Sequence, residues 1–200
     1  SADGLAWTRP LIDFVPYASH HSTNLLPPLE GVNGRTIAFH EGIIFRDPHG
    51  SAEECYKALF PGSVTAEELA ACEETLGPAS PAARAKKRVL FGAASPDGFS
   101  WTMQAQPVML HAGDAGAAVA YDAALGRYVG FFRGLEPGRR TLGRAETEDF
   151  WAWPLPTTVF APHLGDGPGV EVLNAAYAAY PGNHDIKLLF PTLYDAARDR

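Results

Sequence analysis

A short turn motif that occurs three times constrains the fold of this chain more than any other feature of its sequence. The copies are Ser1–Trp7, Ser95–Trp101 and Thr147–Trp153, and in each copy the third residue is Asp and the seventh is Trp. Successive copies begin 94 and 52 residues apart, so the first interval is close to twice the second. A unit of roughly 50 residues holds four short strands with their turns. The repeat therefore predicts an all-β fold built from successive four-stranded units.

The residue types of the motif suit a tight turn that is followed by a packing residue. The Ser or Thr and the Asp can accept hydrogen bonds from nearby backbone N–H groups. Gly98 in the second copy can adopt the positive φ that such a turn often needs. A Trp such as Trp101 carries a large ring, which we expect to pack between adjacent sheets.

Strand-like segments occur on both sides of these turns. Gly and Pro account for 20 and 17 of the 200 residues, which favours frequent turns over long helices. Residues 35–40 and 42–46 are predicted to form one hairpin, and Ala117–Tyr121 and Tyr128–Arg133 another. Further strands are predicted at Tyr56–Phe60, Val89–Ala94, Arg140–Glu146, Ala175–Tyr180 and Ile186–Phe190.

One helix is predicted, over Thr65–Thr75. Thr65 and Glu68 have the spacing of a capping box, in which each side chain accepts a hydrogen bond from the other residue's backbone N–H. The following Ala- and Pro-rich segment, Pro78–Lys87, is predicted to be a loop. Both segments belong to a predicted helical and loop insertion at residues 62–88.

Charge and cysteine content exclude several classes of partner and site. The formal net charge of −7 argues against nucleic acid and anionic membranes, because both favour a basic surface. No apolar run approaches the roughly 20 residues of a membrane span, and no signal peptide is visible. Cys55 and Cys72 fit no zinc or redox motif, and the histidines show no fixed ligand spacing. The sequence therefore predicts no cofactor, no metal, no nucleic-acid partner and no membrane partner.

The order and spacing of several segments along the chain are typical of one group of proteins. These segments are Phe45–Pro48 with Cys55–Leu59, Ser95–Trp101, Asp114 with Ala120–Asp122 and Gly126–Arg133, Arg144–Phe150, and Tyr180–Gly182 with Leu189–Tyr194. In order and spacing they resemble bacterial proteins that form five-bladed β-propellers related to glycoside hydrolase families 43 and 32. The resemblance covers nearly the whole chain.

The resemblance implies an all-β fold of the five-bladed glycosidase propeller type. The chain is long enough for about three to four blades, so we expect residues 1–200 to form a single partial propeller domain. We also expect the sequence to be a fragment that lacks material at both ends. An open arc of blades leaves sheet faces uncovered, and we therefore expect the isolated chain to be poorly stable or to self-associate. Because the natural N-terminus is expected to be missing, the sequence predicts no compartment.

The resemblance further implies glycoside hydrolysis of an oligosaccharide or polysaccharide. This chemistry needs two carboxyl groups across the scissile bond, and in the resembled propellers a third acid supports them. Each acid comes from the inner strand of a different blade. Asp47, Asp114 and Glu171 lie about a blade apart and are the catalytic candidates. Asp47 and Asp114 would be the base or nucleophile and its supporting acid, and Glu171 the proton donor.

Three polar residues near these acids are predicted to contact the carbohydrate. Arg46 precedes Asp47 in an Arg-Asp-Pro triplet, which also marks the transition-state-stabilising acid of the family 32 enzymes. His40 and Glu41 alternate with apolar residues, so that one of the two side chains can face the ligand funnel, and His40 is the candidate contact. Asn174 matches a polar position of the resembled proteins and is expected to bind a sugar hydroxyl.

A propeller that binds carbohydrate, or acts as a scaffold, without catalysis is the alternative. Asp47 before Pro48 also suits the start of a turn, Asp114 can be a loop residue that caps a strand, and Glu171 can be a solvated carboxylate. The residues after Asp114 are small and apolar where the resembled proteins carry polar ones, which favours this alternative.

Two other features are open to more than one interpretation. Trp151 and Trp153 could form a sugar-stacking surface, although a Trp at this turn more often packs between blades. Glu54 and Cys55 are similar to the Glu-Cys acid/base motif of family 32. Glu54 lies only seven residues after Asp47, too near for a separate blade, and we interpret the similarity as a coincidence.

Overall fold

The computed structural model describes residues 2–26, 29–30, 36–37, 42–113, 117–136 and 139–196. Within these residues the fold is all-β with two short helices. The strands are β1 (Leu29–Glu30), β2 (Thr36–Ile37), β3 (Ile43–Arg46), β4 (Tyr56–Ser63), β5 (Arg88–Ser95), β6 (Thr102–Met103), β7 (Ala118–Asp122), β8 (Arg127–Glu136), β9 (Arg139–Thr147), β10 (Thr157–Phe160), β11 (Val170–Tyr180) and β12 (Asn183–Asp195). The helices are α1 (Ala66–Leu76) and α2 (Pro81–Lys86).

Most strands belong to two four-stranded antiparallel sheets in which chain neighbours are also sheet neighbours. Sheet 1 has the order β3-β4-β5-β6, and sheet 2 has the order β7-β8-β9-β10. Strands β11 and β12 form a long hairpin, and β1 pairs with β2. The described residues therefore contain two four-stranded meanders, the long β11–β12 hairpin and the short β1–β2 pair.

Alternation along the strands places apolar side chains on both faces of the two sheets. On β4, Ala58 and Phe60 pack with α1 and α2, whereas Leu59 packs with sheet 2. On β8, Phe132 packs with sheet 1, whereas Phe131 packs with the β11–β12 hairpin. The two sheets and the hairpin therefore stack face to face, with one apolar core in each gap.

The repeated motif forms the predicted turn. In the second copy, Oδ1 of Asp97 accepts hydrogen bonds from the backbone N–H groups of Phe99 and Ser100, both at 2.7 Å. These hydrogen bonds hold the pKa of Asp97 far below its ordinary value, and the bond from Ser100 has the largest effect. Gly98 has a φ of +79°, and its carbonyl accepts a hydrogen bond of 3.0 Å from the indole N–H of Trp101. The prediction for this turn is confirmed.

The other two copies repeat this hydrogen bonding. The indole N–H of Trp7 donates to the carbonyl of Gly4, and that of Trp153 donates to the carbonyl of Phe150. The second and third copies each join the third and fourth strands of a sheet, because they connect β5 to β6 and β9 to β10. The motif therefore marks the same point in two successive sheets.

The predicted packing of the Trp rings is confirmed for one copy and wrong for another. Trp153 is buried in the core between the two sheets, and Trp101 packs at the edge of the core beneath the helices. Trp7 is 78% exposed, because no described sheet covers the segment before β1.

The structure confirms the predicted helix and corrects one neighbouring prediction. Helix α1 begins after Thr65, and the predicted capping box with Glu68 is present. The predicted loop contains α2, because Ser80 accepts a hydrogen bond from the third helical residue and Pro81 suits a first helical position. The predicted hairpin of residues 35–40 with 42–46 lies largely outside the described residues; among those described, β2 pairs with β1 and β3 pairs with β4. Within the described residues, neither helix is long and apolar enough to cross a membrane.

His111 makes the stability of this fold depend on pH. Its Nε2 lies 2.8 Å from the carbonyl oxygen of Arg133 and must carry the proton, because a carbonyl only accepts. Burial lowers the pKa of His111, which outweighs the opposite effect of this hydrogen bond. As the pH falls below the ordinary value of about 6.5, the unfolded chain therefore takes up this proton before the folded chain does. Stability contributed by the neutral imidazole is present above that pH and is lost below it.

We expect the urea midpoint of the wild type to decrease as the pH is lowered from about 7 to about 5. His111→Gln should make the slope of midpoint against pH smaller. Urea denaturation followed by circular dichroism at several pH values measures this slope. His21→Gln, at an exposed histidine, is the matched control and should keep the wild-type slope. Equal slopes for the wild type and His111→Gln would show that His111 does not couple to folding.

Candidate functional site

Asp47 is fully buried at the turn that follows β3. Its side chain is 0% exposed, and its Oδ2 accepts a 2.7 Å hydrogen bond from the Tyr128 hydroxyl. The same oxygen lies 3.5 Å from Nζ of Lys57, and Oδ1 accepts a hydrogen bond from the backbone N–H of His49. Because Tyr128 lies on β8, the carboxylate of Asp47 connects sheet 1 to sheet 2.

Asp122 occupies the corresponding position in sheet 2, at the end of its first strand. Its Oδ2 accepts a hydrogen bond of 3.3 Å from the Tyr177 hydroxyl, and its Oδ1 lies 2.9 Å from Nζ of Lys187. Tyr177 and Lys187 belong to the β11–β12 hairpin. We call Asp47 and Asp122 the aspartate latches, because each one bonds its sheet to the next element in the stack.

These contacts and burial shift the pKa values of the tyrosines and of Asp122. Burial and the hydrogen bond to Asp47 raise the pKa of Tyr128, and burial together with the charge of Asp122 raises the pKa of Tyr177 to about 12. Burial alone would raise the pKa of Asp122. The hydrogen bonds that Asp122 accepts from Lys187 and from two backbone N–H groups outweigh burial. The pKa of Asp122 therefore lies below its ordinary value. Both tyrosines therefore remain donors near neutral pH.

Of the other two catalytic candidates, the structure describes only Glu171. Glu171 is on β11, and its carboxylate forms an ion pair of 3.0 Å with Arg140 on β9. Asp114 lies outside the described residues.

The candidate carbohydrate contacts are also spread over the chain. Arg46 is exposed at the end of β3, Asn174 is half-buried on β11 opposite Thr192, and His40 lies outside the described residues.

The structure does not bring Asp47 and Glu171 together. Asp47 contacts Tyr128 near the start of β8, whereas Glu171 contacts Arg140, which pairs with Leu135 near the end of β8. Seven strand residues separate the two points on β8, which is roughly 23 Å at about 3.3 Å per residue. The two carboxylates therefore lie towards opposite ends of the β8–β9 hairpin.

A cavity of about 480 Å³ lies where sheet 1 meets the third turn motif. Its wall includes two carboxylates, a hydroxyl, an amide, a thioether and an indole, from Glu53, Glu54, Thr102, Gln104, Met103 and Trp151. The carboxylates come from the short 3-10 turn before β4, and the indole comes from the turn between β9 and β10. We call this space the Trp151 cavity.

Trp151 is held firmly at the cavity wall. The Phe150 ring meets it edge-on with centroids 5.1 Å apart. Gly92 on β5 lies beneath the indole, and a Cβ at this position would lie 3.1 Å from its Cζ3 atom. The absence of a side chain at Gly92 therefore allows the ring to lie close to sheet 1.

Gln104 supplies an unused acceptor to the same wall. Its side-chain oxygen Oε1 is buried and has no hydrogen-bond partner among the described residues. A buried acceptor without a donor is costly, and a rotation of the Gln104 side chain towards the cavity would let a ligand donor relieve this cost.

Lys57 connects the cavity to the first aspartate latch. Its Nζ lies 2.9 Å from Oε2 of Glu54 and 3.5 Å from Oδ2 of Asp47. The sum of these distances, about 6.4 Å, is an upper limit for the separation of the two carboxylate oxygens.

Glu54 is not among the predicted site residues, because it is close to Asp47 along the chain. Both residues lie in the connection between β3 and β4, which reverses the chain, so short sequence separation favours contact here. Asp122 was also missed as a functional candidate. Its position after a predicted strand and before a Gly-containing turn was the available signal.

Among the described side chains, no three His, Cys, Asp or Glu residues come together to hold a metal ion. Comparison of the chain with known proteins finds no matching family, no similar curated protein and no similar solved structure.

Proposed function

We propose that this chain is part of a propeller-type carbohydrate-binding protein and that its ligand occupies the Trp151 cavity. Two four-stranded meanders that stack face to face, with the turn motif at the same point in each, support the propeller architecture. The aspartate latches repeat between successive elements in the way expected of successive blades. Sheet 1, sheet 2 and the β11–β12 hairpin correspond to parts of three blades.

The composition of the cavity wall is the main support for the proposal that the ligand is a carbohydrate. A sugar ring has an apolar face that packs on an aromatic ring such as Trp151, and hydroxyls that hydrogen-bond to polar groups such as Glu53, Glu54 and Gln104. Ligand cavities are usually about 300–1,000 Å³ and combine aromatic surface with a few polar groups. The Trp151 cavity has both properties.

Binding fits this geometry better than the predicted three-acid hydrolysis. Asp47 is enclosed by protein, and Glu171 is paired with Arg140 at the far end of β8. Hydrolysis requires two carboxyl groups that flank the scissile bond, and this pair does not flank one cavity.

Glycoside hydrolysis at the Trp151 cavity is a second candidate, favoured by one observation. Oxygens of Glu54 and Asp47 lie at most about 6.4 Å apart, and catalytic carboxyl pairs are roughly 5–9.5 Å apart. In this mechanism Glu54 would face the sugar, and Asp47 would have to exchange its bond with Tyr128 for contact with substrate or water.

A saccharide panel distinguishes the two candidates. Isothermal titration calorimetry with cello-, xylo-, fructo-, chitin and chitosan oligosaccharides measures binding, and release of reducing ends from the same samples measures hydrolysis. We expect binding without release. Release that Glu54→Gln abolishes would favour the hydrolytic candidate, and failure of every saccharide to bind would overturn both.

Two expectations about partners stay predictions. The net charge of −7 continues to argue against nucleic acid. Self-association is consistent with the exposed apolar side chains on β12, among them Ile186, Phe190 and Leu193. Light scattering over a range of protein concentrations measures the association.

A further inference from the structure

We propose that the saccharide in the Trp151 cavity carries a protonated amine, as deacetylated chitin does. This inference rests on the proposed function, because it names the class of ligand for the same cavity. It follows from the charge of the cavity wall and from the direction of its hydrogen-bonding groups.

The wall of the cavity is negatively charged. Glu53 and Glu54 both line it, and no lining residue in the described part of the chain is cationic. Hydrogen bonds from the backbone N–H of Glu53 and from the Ser51 hydroxyl, in that order, lower the pKa of Glu53. Glu53 therefore remains ionised in mildly acidic solution, where a sugar amine is protonated.

Lys57 does not neutralise this charge. Its side chain is 5% exposed and is shared between Asp47 and Glu54. The local group thus contains three carboxylates, those of Asp47, Glu53 and Glu54, and one ammonium. A second ammonium, brought by the ligand, would compensate part of the remaining charge.

The polar groups at the wall are mainly acceptors. Ionised carboxylates only accept hydrogen bonds, and Glu53 and Glu54 are the charged groups among the described lining residues. An ammonium has three donors and no acceptor, whereas a hydroxyl has one donor. An aminosugar therefore matches this wall better than the corresponding neutral sugar does.

The aromatic residues beside the cavity already hold a cation. Nζ of Lys57 lies 4.9 Å from the ring centroid of Phe150 and 5.6 Å from that of Trp151. Attraction between a cation and an aromatic ring adds to the charge interaction when the cation lies within about 6 Å of the ring centroid. Trp151 can therefore contribute both stacking on the sugar ring and attraction to its ammonium.

Three tetrasaccharides that differ mainly at one ring substituent test this inference. Cellotetraose has a hydroxyl, the chitosan tetramer has an ammonium and the chitin tetramer has an acetamido group at that position. In calorimetry at mildly acidic pH and low salt, we expect the chitosan tetramer to bind about tenfold more tightly than cellotetraose. We expect the chitin tetramer to have no such advantage, because acetylation removes the charge.

The carboxylates are tested with single charge-neutralising variants. Glu53→Gln should lose most of the preference for chitosan, measured as the ratio of the chitosan and cellotetraose affinities of the same variant. Glu54→Gln should also lower the preference, and Glu53→Gln remains informative if the loss of the Lys57 contact destabilises that variant. Glu74→Gln on the exposed face of α1 changes the net charge equally and is the matched control.

The outcomes separate this inference from the proposed function. Equal affinity for the three tetramers would overturn the proposal that the ligand carries an amine, and so would a chitosan preference that Glu53→Gln and Glu54→Gln both retain. Either result leaves carbohydrate binding intact. If no tetramer binds but another saccharide of the panel does, the amine is again overturned alone. If no saccharide binds, both proposals fail.

Discussion

Replacement of Asp47 by alanine is expected to lower the free energy of unfolding by about 3–5 kcal/mol, the range for breaking a buried charged pair by removal of one partner. The substitution leaves the Tyr128 hydroxyl and the Lys57 ammonium buried without this acceptor. It also removes the hydrogen bond that connects sheet 1 to sheet 2. Urea denaturation followed by circular dichroism measures the change.

Asp185→Ala is the matched control for this prediction. Asp185 is exposed on β12, and its loss should change stability by no more than about 0.5 kcal/mol. A double-mutant cycle with Tyr128→Phe isolates the bond between the sheets, because the effects of contacting residues do not add. If Asp47→Ala is as stable as Asp185→Ala, the latch does not stabilise the fold.

Replacement of Trp151 by alanine is expected to weaken binding of the best saccharide of the panel by roughly 30-fold or more. This corresponds to a loss of about 2 kcal/mol or more, the range for a central aromatic contact. The variant removes the ring on which we place the sugar, while Trp151 is only half-buried and contributes less to the core than Trp153 does. Isothermal titration calorimetry measures the change in affinity.

Trp7→Ala provides the control for this result. Trp7 occupies the Trp position of the first turn motif, is largely exposed and does not line the cavity. Its removal should leave the affinity unchanged. Wild-type affinity in a correctly folded Trp151→Ala protein would place the sugar site elsewhere.

Local features of the fold could be predicted from the sequence. The turn at Asp97 and the cap at Thr65 depend on hydrogen bonds to residues only two or three positions away. The spacing of these residues therefore contains the information needed. The pattern does not reveal two-residue strands such as β6, because so short a strand is specified by the sheet it joins rather than by its own residues.

The geometry of the site depends on contacts between residues that are far apart in the sequence. Asp47 meets a tyrosine 81 positions away, and Asp122 meets partners 55 and 65 positions away. The resemblance to the propeller glycosidases identifies Asp47 as a candidate acid, but the burial that encloses it arises only when the sheets stack. The role of Trp151 likewise depends on Gly92 and Phe150, which lie beside it in the fold.

Two predicted site residues, Asp114 and His40, stay predictions. Alanine variants of both, assayed for saccharide binding and for reducing-end release, show whether either one contributes to a site.

Indole N–H signals in a heteronuclear NMR spectrum test the central claim most directly, because the chain has four Trp residues and each gives one signal. Loss of a signal in Trp151→Phe assigns the Trp151 indole, and loss in Trp7→Phe assigns that of Trp7. During titration with the best-binding saccharide of the panel, we predict that the Trp151 signal shifts and the Trp7 signal does not. Saturating saccharide that leaves the Trp151 signal in place, while signals of other residues shift, would contradict the assignment of the Trp151 cavity as the carbohydrate site.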